Sequence, residues 1–454
     1  MKKISLLAIF LLSISNLFAQ KYYMDHPEGF GAATTGGGTP NTSNTVTVSN
    51  YSDLESALTS TSPTNAVILV SGTIECSYTS VKLNNKTIIG LPGARLVNLK
   101  QVKPTSGLSN EDNSGILTLK PGSSNVIIRN LVFEGPGAWD VGGKDNLSIE
   151  GCVNLWVDHC EFQDGMDGNL DMKDKTDNVT ISWCKFTYKK IPKTTDYEDK
   201  GTPDHRFSSL IGSGSSNSPD DGHFSITFQN CYWAEGCKER MPRARNAELH
   251  ILNCYYNTSL SSSLAIGLGG GTKNSTCYVE GTNFSQVTST YKSYPADGGT
   301  IAINFDNCLK GAANIGTVNK PTYAYTAIPV NLVEAAVTNT SCGAGATLQV
   351  TNDGIISASC SNDNLGVNEI KSTLELKYYP TVIDSLLNID FSANDSGKAV
   401  IEMYAANGSK VYTQSKNIAP NEKLELNVAS LGKGMYFCKV FVNDKAKSFK
   451  VLKD

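Results

Sequence analysis

Five stretches of the chain repeat one template: NVIIRNLVF from Asn125, NLWVDHCEF from Asn154, NVTISWCKF from Asn178, SITFQNCYW from Ser225 and ELHILNCYY from Glu248. Each alternates apolar and polar residues, then sets a Cys (a Leu in the first) and, two places on, an aromatic. Cys160, Cys184, Cys231 and Cys254 hold the same place, at separations of 24, 47 and 23 residues. The 47 reads as two periods with an insertion. One short strand per repeat cannot bury its apolar face alone, so such repeats stack into a solenoid. The period of two makes the unit a strand, and no LxxLxL unit recurs, which sets aside a leucine-rich horseshoe. The expected fold class is all-β, a parallel β-helix. Residues in one register stack on the next coil, so the four cysteines are expected as a buried ladder of small apolar side chains rather than as disulfides.

The repeat fades after about residue 330. At 454 residues the chain is long enough for more than one domain. Residues 346–374 are polar and read as a linker. From 375 to 454 a second pattern begins, with LNIDFSA, AVIEMYAANGSKVYTQ, KLELNVASLGKGMYFCKVFV and KSFKVLKD as alternating strands. Turns are expected at Asn407–Gly408 and Gly432–Gly434, giving a small antiparallel β-sandwich. At the other end, MKKISLLAIFLLSISNLFAQ has a charged start, an apolar stretch and a small residue at Ala19. It reads as a signal peptide over 1–19, too short for a membrane span. No later run is long and apolar enough to make this an integral membrane protein. Export permits disulfides; Cys342 and Cys360, outside the repeats, are a candidate pair. There is no CxxC pair among the 12 cysteines, which argues against a zinc site. A net charge of −4 argues against nucleic acid as a partner. The chain is expected to act as a monomer.

Two local concentrations of charge carry the chemistry. DGMDGNLDMKD, at 164–174, holds four aspartates, and Asp145 precedes it by about one coil. In a β-helix, residues tens of positions apart become lateral neighbours. Asp145, Asp167 and Asp171 are therefore expected to converge as hard oxygen ligands of the kind Ca²⁺ takes. The spacing is not that of an EF-hand. The second concentration is RMPRAR at 240–245, which holds three of the six arginines of the chain. A guanidinium is a planar fork matched to a carboxylate, and it keeps its charge when partly desolvated. Each cluster alone has a plain reading, a solvated acidic turn or a salt-bridged surface turn. Together on one solenoid they point to a ligand bearing carboxylates, and along an extended groove to an anionic polymer.

These residues resemble a known family. NLWVDHCEF is similar to the vWiDH signature of pectate lyases, and Arg240, Pro242 and Arg245 match their RxPxxR motif. EGFGAATTGGG, VTVSNYSDLESAL, VSGTIE and NKTIIGLPGARL resemble that family's opening strands in order, so the resemblance covers roughly residues 22–340, within an expected enzyme domain of 20–345. It implies a right-handed single-stranded parallel β-helix and a secreted Ca²⁺-dependent enzyme. The implied reaction cleaves de-esterified homogalacturonan (polygalacturonate, or pectate) by β-elimination to 4,5-unsaturated products. It implies Arg240 as the proton-abstracting arginine, Lys173 and Arg245 as substrate contacts, and Asp145, Asp167 and Asp171 as calcium ligands. Three departures appear. Gly143 stands where an aspartate is common, Asp167 where a glutamate is frequent, and Phe207 where a lysine often precedes the LIG turn. Arg206, next to Phe207, is expected to take that lysine's role after a one-residue shift. His159 is expected as a coil-stabilising hydrogen bonder, and His205 and His223 carry no motif.

The C-terminal segment resembles the type IX secretion sorting domains of Bacteroidetes, through YYPTVIDSLLNIDF and LGKGMYFCKV with KSFKVLK. That implies the type IX secretion machinery as a partner and a secreted or cell-surface location. Two other functions fit the same fold. A pectin hydrolase would need paired carboxylates as acid and base. A non-catalytic pectin-binding protein would need only the groove. An arginine is a weak base at neutral pH, so an arginine base surrounded by other cations is expected to work best under alkaline conditions.

Overall fold

The computed structural model describes residues 22–101, 113–138, 144–192, 204–357, 360, 372–405, 410–442 and 445–454. The expected signal at 1–19, Gly143 and the turn at Asn407–Gly408 lie outside the described residues. The chain divides into two compact units at Cys360 and Ser361.

In the first unit eight successive coils contribute strands to each of three parallel sheets, and one sheet extends a strand further at each end among the described residues. One sheet has ten strands, from Thr45–Val48 to Ile301–Asp306; the other two have eight each, from Thr79–Val81 to Ser289–Ser293 and from Thr73–Glu75 to Asn283–Gln286. Strand pairing runs in register from coil to coil, so Leu155 lies between Val126 and Val179, and Phe162 between Phe133 and Phe186. This is the parallel β-helix expected from the repeat.

The repeated positions do stack. Phe133, Phe162, Phe186, Trp233, Tyr256 and Phe284 form a continuous aromatic pile, with ring centroids 4.6 to 5.4 Å apart and interplanar angles of 17° or less. All six are fully buried. Cys160, Cys184, Cys231 and Cys254 are buried free thiols, each in contact with backbone carbonyl oxygens. The residue just before each rung turns the corner between two sheets in the left-handed backbone region. It is Asn at 130, 230 and 253, and His159 and Trp183 on the coils between. Asn tolerates that conformation best among residues with a Cβ. Trp233 touches aromatic rings on both neighbouring coils, so Trp233→Ala opens a cavity the stack cannot close. It should lower stability by about 3–5 kcal/mol, read as a lower denaturant midpoint.

Two expectations are corrected. The 47 residues between Cys184 and Cys231 are one coil, not two periods. Asp177–Ser182 pairs directly with Phe224–Gln229, and Phe186 stacks directly on Trp233. The surplus residues fall in sequence between the strands Lys185–Thr187 and Leu210–Ile211. Part of the expected linker also belongs to the helix. Gln349–Val350 and Ile356–Ser357 pair as a short antiparallel ribbon, and Leu348 and Val350 pack on Val67, Leu69 and Ile89 of the ten-stranded sheet. Burying those apolar side chains outweighs the polar composition around them. Cys342 and Cys360 form a disulfide.

The second unit has a six-stranded and a three-stranded sheet, mostly antiparallel, around a core that includes Ile389, Ile401, Leu426 and Val440. This matches the expected sandwich. No helix among the described residues is long and apolar enough to cross a membrane.

Candidate active site

The sheet running from Thr79–Val81 to Ser289–Ser293 positions the charged residues. In Leu147–Glu150 and Leu170–Lys173, Leu147, Ile149, Leu170 and Met172 face the core. The alternation of a strand then turns Ser148, Glu150, Asp171 and Lys173 outward. Ser148 pairs with Asp171, and Glu150 with Lys173. Asp145, Asp167, Asp171, Lys144, Ser148 and Lys173 line one cleft of about 290 Å³.

Asp145 and Asp171 meet at Gly168. A methyl group built on Gly168 would meet Asp145 Oδ1 at 2.7 Å and Asp171 Oδ1 at 3.0 Å. Both oxygens therefore border the same small space, which glycine leaves open. Asp145 Oδ2 accepts from Ser148 Oγ at 2.6 Å, while its Oδ1 is buried with no hydrogen-bond partner among the described residues. Asp171 Oδ1 accepts from the Leu210 N–H at 2.8 Å. Burial, then the nearby Asp167 charge, pushes the Asp145 carboxyl up to about 6. Burial, then the Asp145 charge, raises the Asp171 carboxyl well above its ordinary value. A buried carboxylate oxygen without a described partner, beside a second, half-buried carboxylate, is the environment a hard cation relieves.

Asp167 shares the cleft but is turned elsewhere. Its Oδ1 lies 2.7 Å from His205 Nε2. Burial acts to raise it, but that histidine, then Arg240 and Lys173, hold the carboxyl below its ordinary value. Among the described residues no three acidic, histidine or cysteine groups close around a single point. The expected trio is thus a converged pair, Asp145 and Asp171, with Asp167 alongside it. The pair fits a divalent cation that draws further oxygens from water or ligand.

Arg240 faces this pair. Its charge acts on Asp145, Asp167 and Asp171 alike. It makes no ion pair or hydrogen bond with any side chain among the described residues, and its guanidinium lies over the Phe207 ring, 4.6 Å from the centroid. Its backbone is left-handed, with φ of 55°, a conformation that costs a residue with a Cβ about 1–2 kcal/mol. Strain of that kind collects where a side chain has to be aimed. Lys173 is paired with Glu150 at 3.0 Å. Burial acts to lower its ammonium, but Glu150, then Asp145 and Asp171, hold it above its ordinary value.

Arg206 is not brought into this group. The Phe207 N–H donates to His205 O at 2.8 Å, closing a tight turn on Arg206. That turn places the His205 and Phe207 rings together, 4.0 Å apart. Arg206 instead forms two 2.7 Å hydrogen bonds with Asp204. Arg245 is braced as well. Its Nε is 3.0 Å from Asp297 Oδ1, and its Nη1 donates to Gly212 O at 2.9 Å. Asp297 also pairs with Arg243, which lies over the Tyr294 ring at 3.7 Å. His159 bridges Asp158 and the Tyr22 carbonyl, both at 2.9 Å, fully buried and remote from the cleft.

His205, Phe207 and Asp297 were not singled out in the sequence as members of the site. His205 and Phe207 carried one signal: they are two apart and so share a face.

Residues 5–347 match the family described as pectate lyase. The chain belongs to the pectate lyase family. Pectate lyase B of Colletotrichum gloeosporioides is 31% identical, over 69% of this chain and 84% of that protein. The pectate lyase of Bacillus subtilis strain 168 is 26% identical, over 69% and 91%. The pectate trisaccharide-lyase of Thermotoga maritima is 32% identical over 208 residues, 44% of this chain. The match spans about half that relative's length, 47%. Residues 377–454 match the family described as a secretion system C-terminal sorting domain. Within this pectate lyase fold the acidic pair, Lys173 and Arg240 share one outer face, and Arg245 stands on the same sheet.

Proposed function

We propose that this protein is a secreted, calcium-dependent pectate lyase that cleaves de-esterified homogalacturonan by β-elimination. One observation carries the reading: a guanidinium bonded to no acidic group among the described residues, on an aromatic platform, beside a buried and a half-buried carboxylate of which one oxygen has no described partner. Asp145 and Asp171, with Asp167 beside them, would hold Ca²⁺. When bound there the cation supplies Lewis acidity toward a uronate carboxylate, the group that takes up charge when the neighbouring C5 proton leaves. Arg240, in the neutral guanidine form that alkaline conditions favour, takes the C5 proton and becomes a guanidinium, with Phe207 fixing its plane. The C5–H electron pair becomes the C4=C5 double bond, and the C4–O4 bond breaks with its pair on O4, which then takes a proton. Lys173 and Arg245 hold carboxylates of the polymer, and Asp297 sets the direction of Arg245. Arg206 has no part in this scheme, because the Asp204 carboxylate holds its Nε–Nη2 edge.

A hydrolase would also use two acidic groups, and the converged Asp145–Asp171 pair is the observation that favours this second reading. A hydrolase has no need of Arg240. Incubation with polygalacturonate separates the two. The lyase reading expects ultraviolet absorbance from the new double bond, abolished by EDTA and restored by added Ca²⁺. Absence of that absorbance would reject it. The C-terminal unit is read as the address for export by type IX secretion, after removal of the signal at 1–19.

A further inference from the structure

The groove sheet continues for two coils before Asp145, and its outer face there is basic. Val81 pairs with Leu119, Leu119 with Ile149, and Ile149 with Met172. The next residue on each strand faces outward, so Lys82, Lys120, Glu150 and Lys173 form one column along the helix axis. Glu150 is taken by Lys173 at 3.0 Å. Lys82 and Lys120 are exposed, and their ammonium groups make no ion pair or hydrogen bond among the described residues. The Lys82 side chain extends toward the coil of Lys120, since a methyl group built on Gly122 would meet its Nζ at 3.0 Å. Like charges facing each other on paired strands are destabilising, and no ion pair among the described residues offsets this pair. Beside them Tyr78 donates to Thr118 Oγ1 at 3.0 Å, and Lys144 Nζ lies over the Tyr78 ring at 5.4 Å. Lys144 also lines the cleft of the acidic pair, so basic groups run without a break from that cleft to Lys82.

We infer that Lys82 and Lys120 are a distal station for carboxylates of a polyuronate chain lying along the groove. The inference rests on the proposed reading of the cleft as a polyuronate site and adds a second contact region to it. At about 4.8 Å per strand, Lys82 stands roughly 14 Å from the row of Lys173 and roughly 24 Å from that of Arg245. A trisaccharide seated over the rows from Lys173 to Arg245, roughly 10 Å apart at that spacing, leaves the station empty, and a polymer fills it.

The test compares the wild-type chain with the Lys82→Ala/Lys120→Ala double variant, and with Lys82→Gln and Lys120→Gln singly. Kinetics are measured on polygalacturonate and on trigalacturonate. Mobility is measured in native gels containing polygalacturonate or fully methyl-esterified pectin. For the double variant the expected result is a KM for the polymer raised about five- to tenfold at low salt, with kcat unchanged. The KM for trigalacturonate stays the same. Retardation by polygalacturonate weakens, mobility in esterified pectin does not change, and the difference shrinks as salt is raised. Each single variant shows part of the effect. An unchanged polymer KM and mobility would overturn the inference, as would an equal rise in KM on both substrates. If the wild-type chain cleaves neither substrate, the lyase reading fails by itself. The gels then decide the station: weaker retardation of the double variant upholds it, and equal retardation rejects it.

Discussion

Arg240→Ala lowers kcat on polygalacturonate about 10²–10⁴-fold, the span that a positioned general base contributes, with little change in KM. The guanidinium is bonded to no acidic group, so its loss strands no partner. Its stacking on Phe207 disappears, an interaction of about 0.5–1 kcal/mol at such a site, together with the charge that acts on Asp145, Asp167 and Asp171. Arg240→Gly makes the sharper comparison. The backbone at Arg240 is left-handed, which glycine adopts without penalty. The glycine variant should be as inactive as the alanine variant but more stable, by about 1 kcal/mol or slightly more. Thermal melting of the two variants checks this. Residual activity near the wild-type level in either would remove Arg240 from the chemistry.

The second large effect belongs to the acidic pair. Asp171→Asn should abolish activity and, without calcium, leave the protein at least as stable as the wild type. The reason is repulsion: a buried and a half-buried carboxylate border one space at Gly168, and one oxygen has no partner among the described residues. With calcium the order reverses. The wild type gains about 2.7 kcal/mol at a hundredfold excess over Kd, read as an upward shift in melting temperature. The Asn variant shows little or no shift. Asp145→Asn should behave in the same way. Asp167→Asn should lose less of the calcium shift, because its carboxylate is engaged by His205. Equal calcium shifts in wild type and Asp171→Asn would mean that the ion binds elsewhere.

The architecture was open to sequence reasoning because a solenoid writes its contacts as a local repeat. Cys160 predicts Cys184 above it, and Phe162 predicts Phe186, once the period of two and the coil length are seen. Asp145, Asp171 and Arg240 were readable for a related reason: short motifs on strands of one sheet share a face. The failures occurred where the chain leaves the repeat. The 47-residue interval carries surplus residues whose number mimics a second period. Arg206 was expected to replace a lysine by sliding one residue. A slip of one residue on a strand-like segment reverses the side chain, so Phe207 faces the site and Arg206 faces Asp204. Asp297 reaches back over Gly269 to Arg243 and Arg245, where a Cβ on that glycine would collide with its carboxylate. Contact made through the absence of a side chain leaves no periodic trace. The same is true of Leu348 and Val350, whose burial on the ten-stranded sheet is invisible in their polar surroundings.

The account turns on an acidic pair and a free guanidinium acting on one uronate ring, so that each bond broken leaves a double bond instead of taking up water. The direct measurement counts new double bonds against new reducing ends while the wild-type enzyme digests polygalacturonate in calcium. One double bond for each reducing end is the predicted result. Reducing ends that accumulate without double bonds would contradict the account and assign Asp145 and Asp171 to hydrolysis.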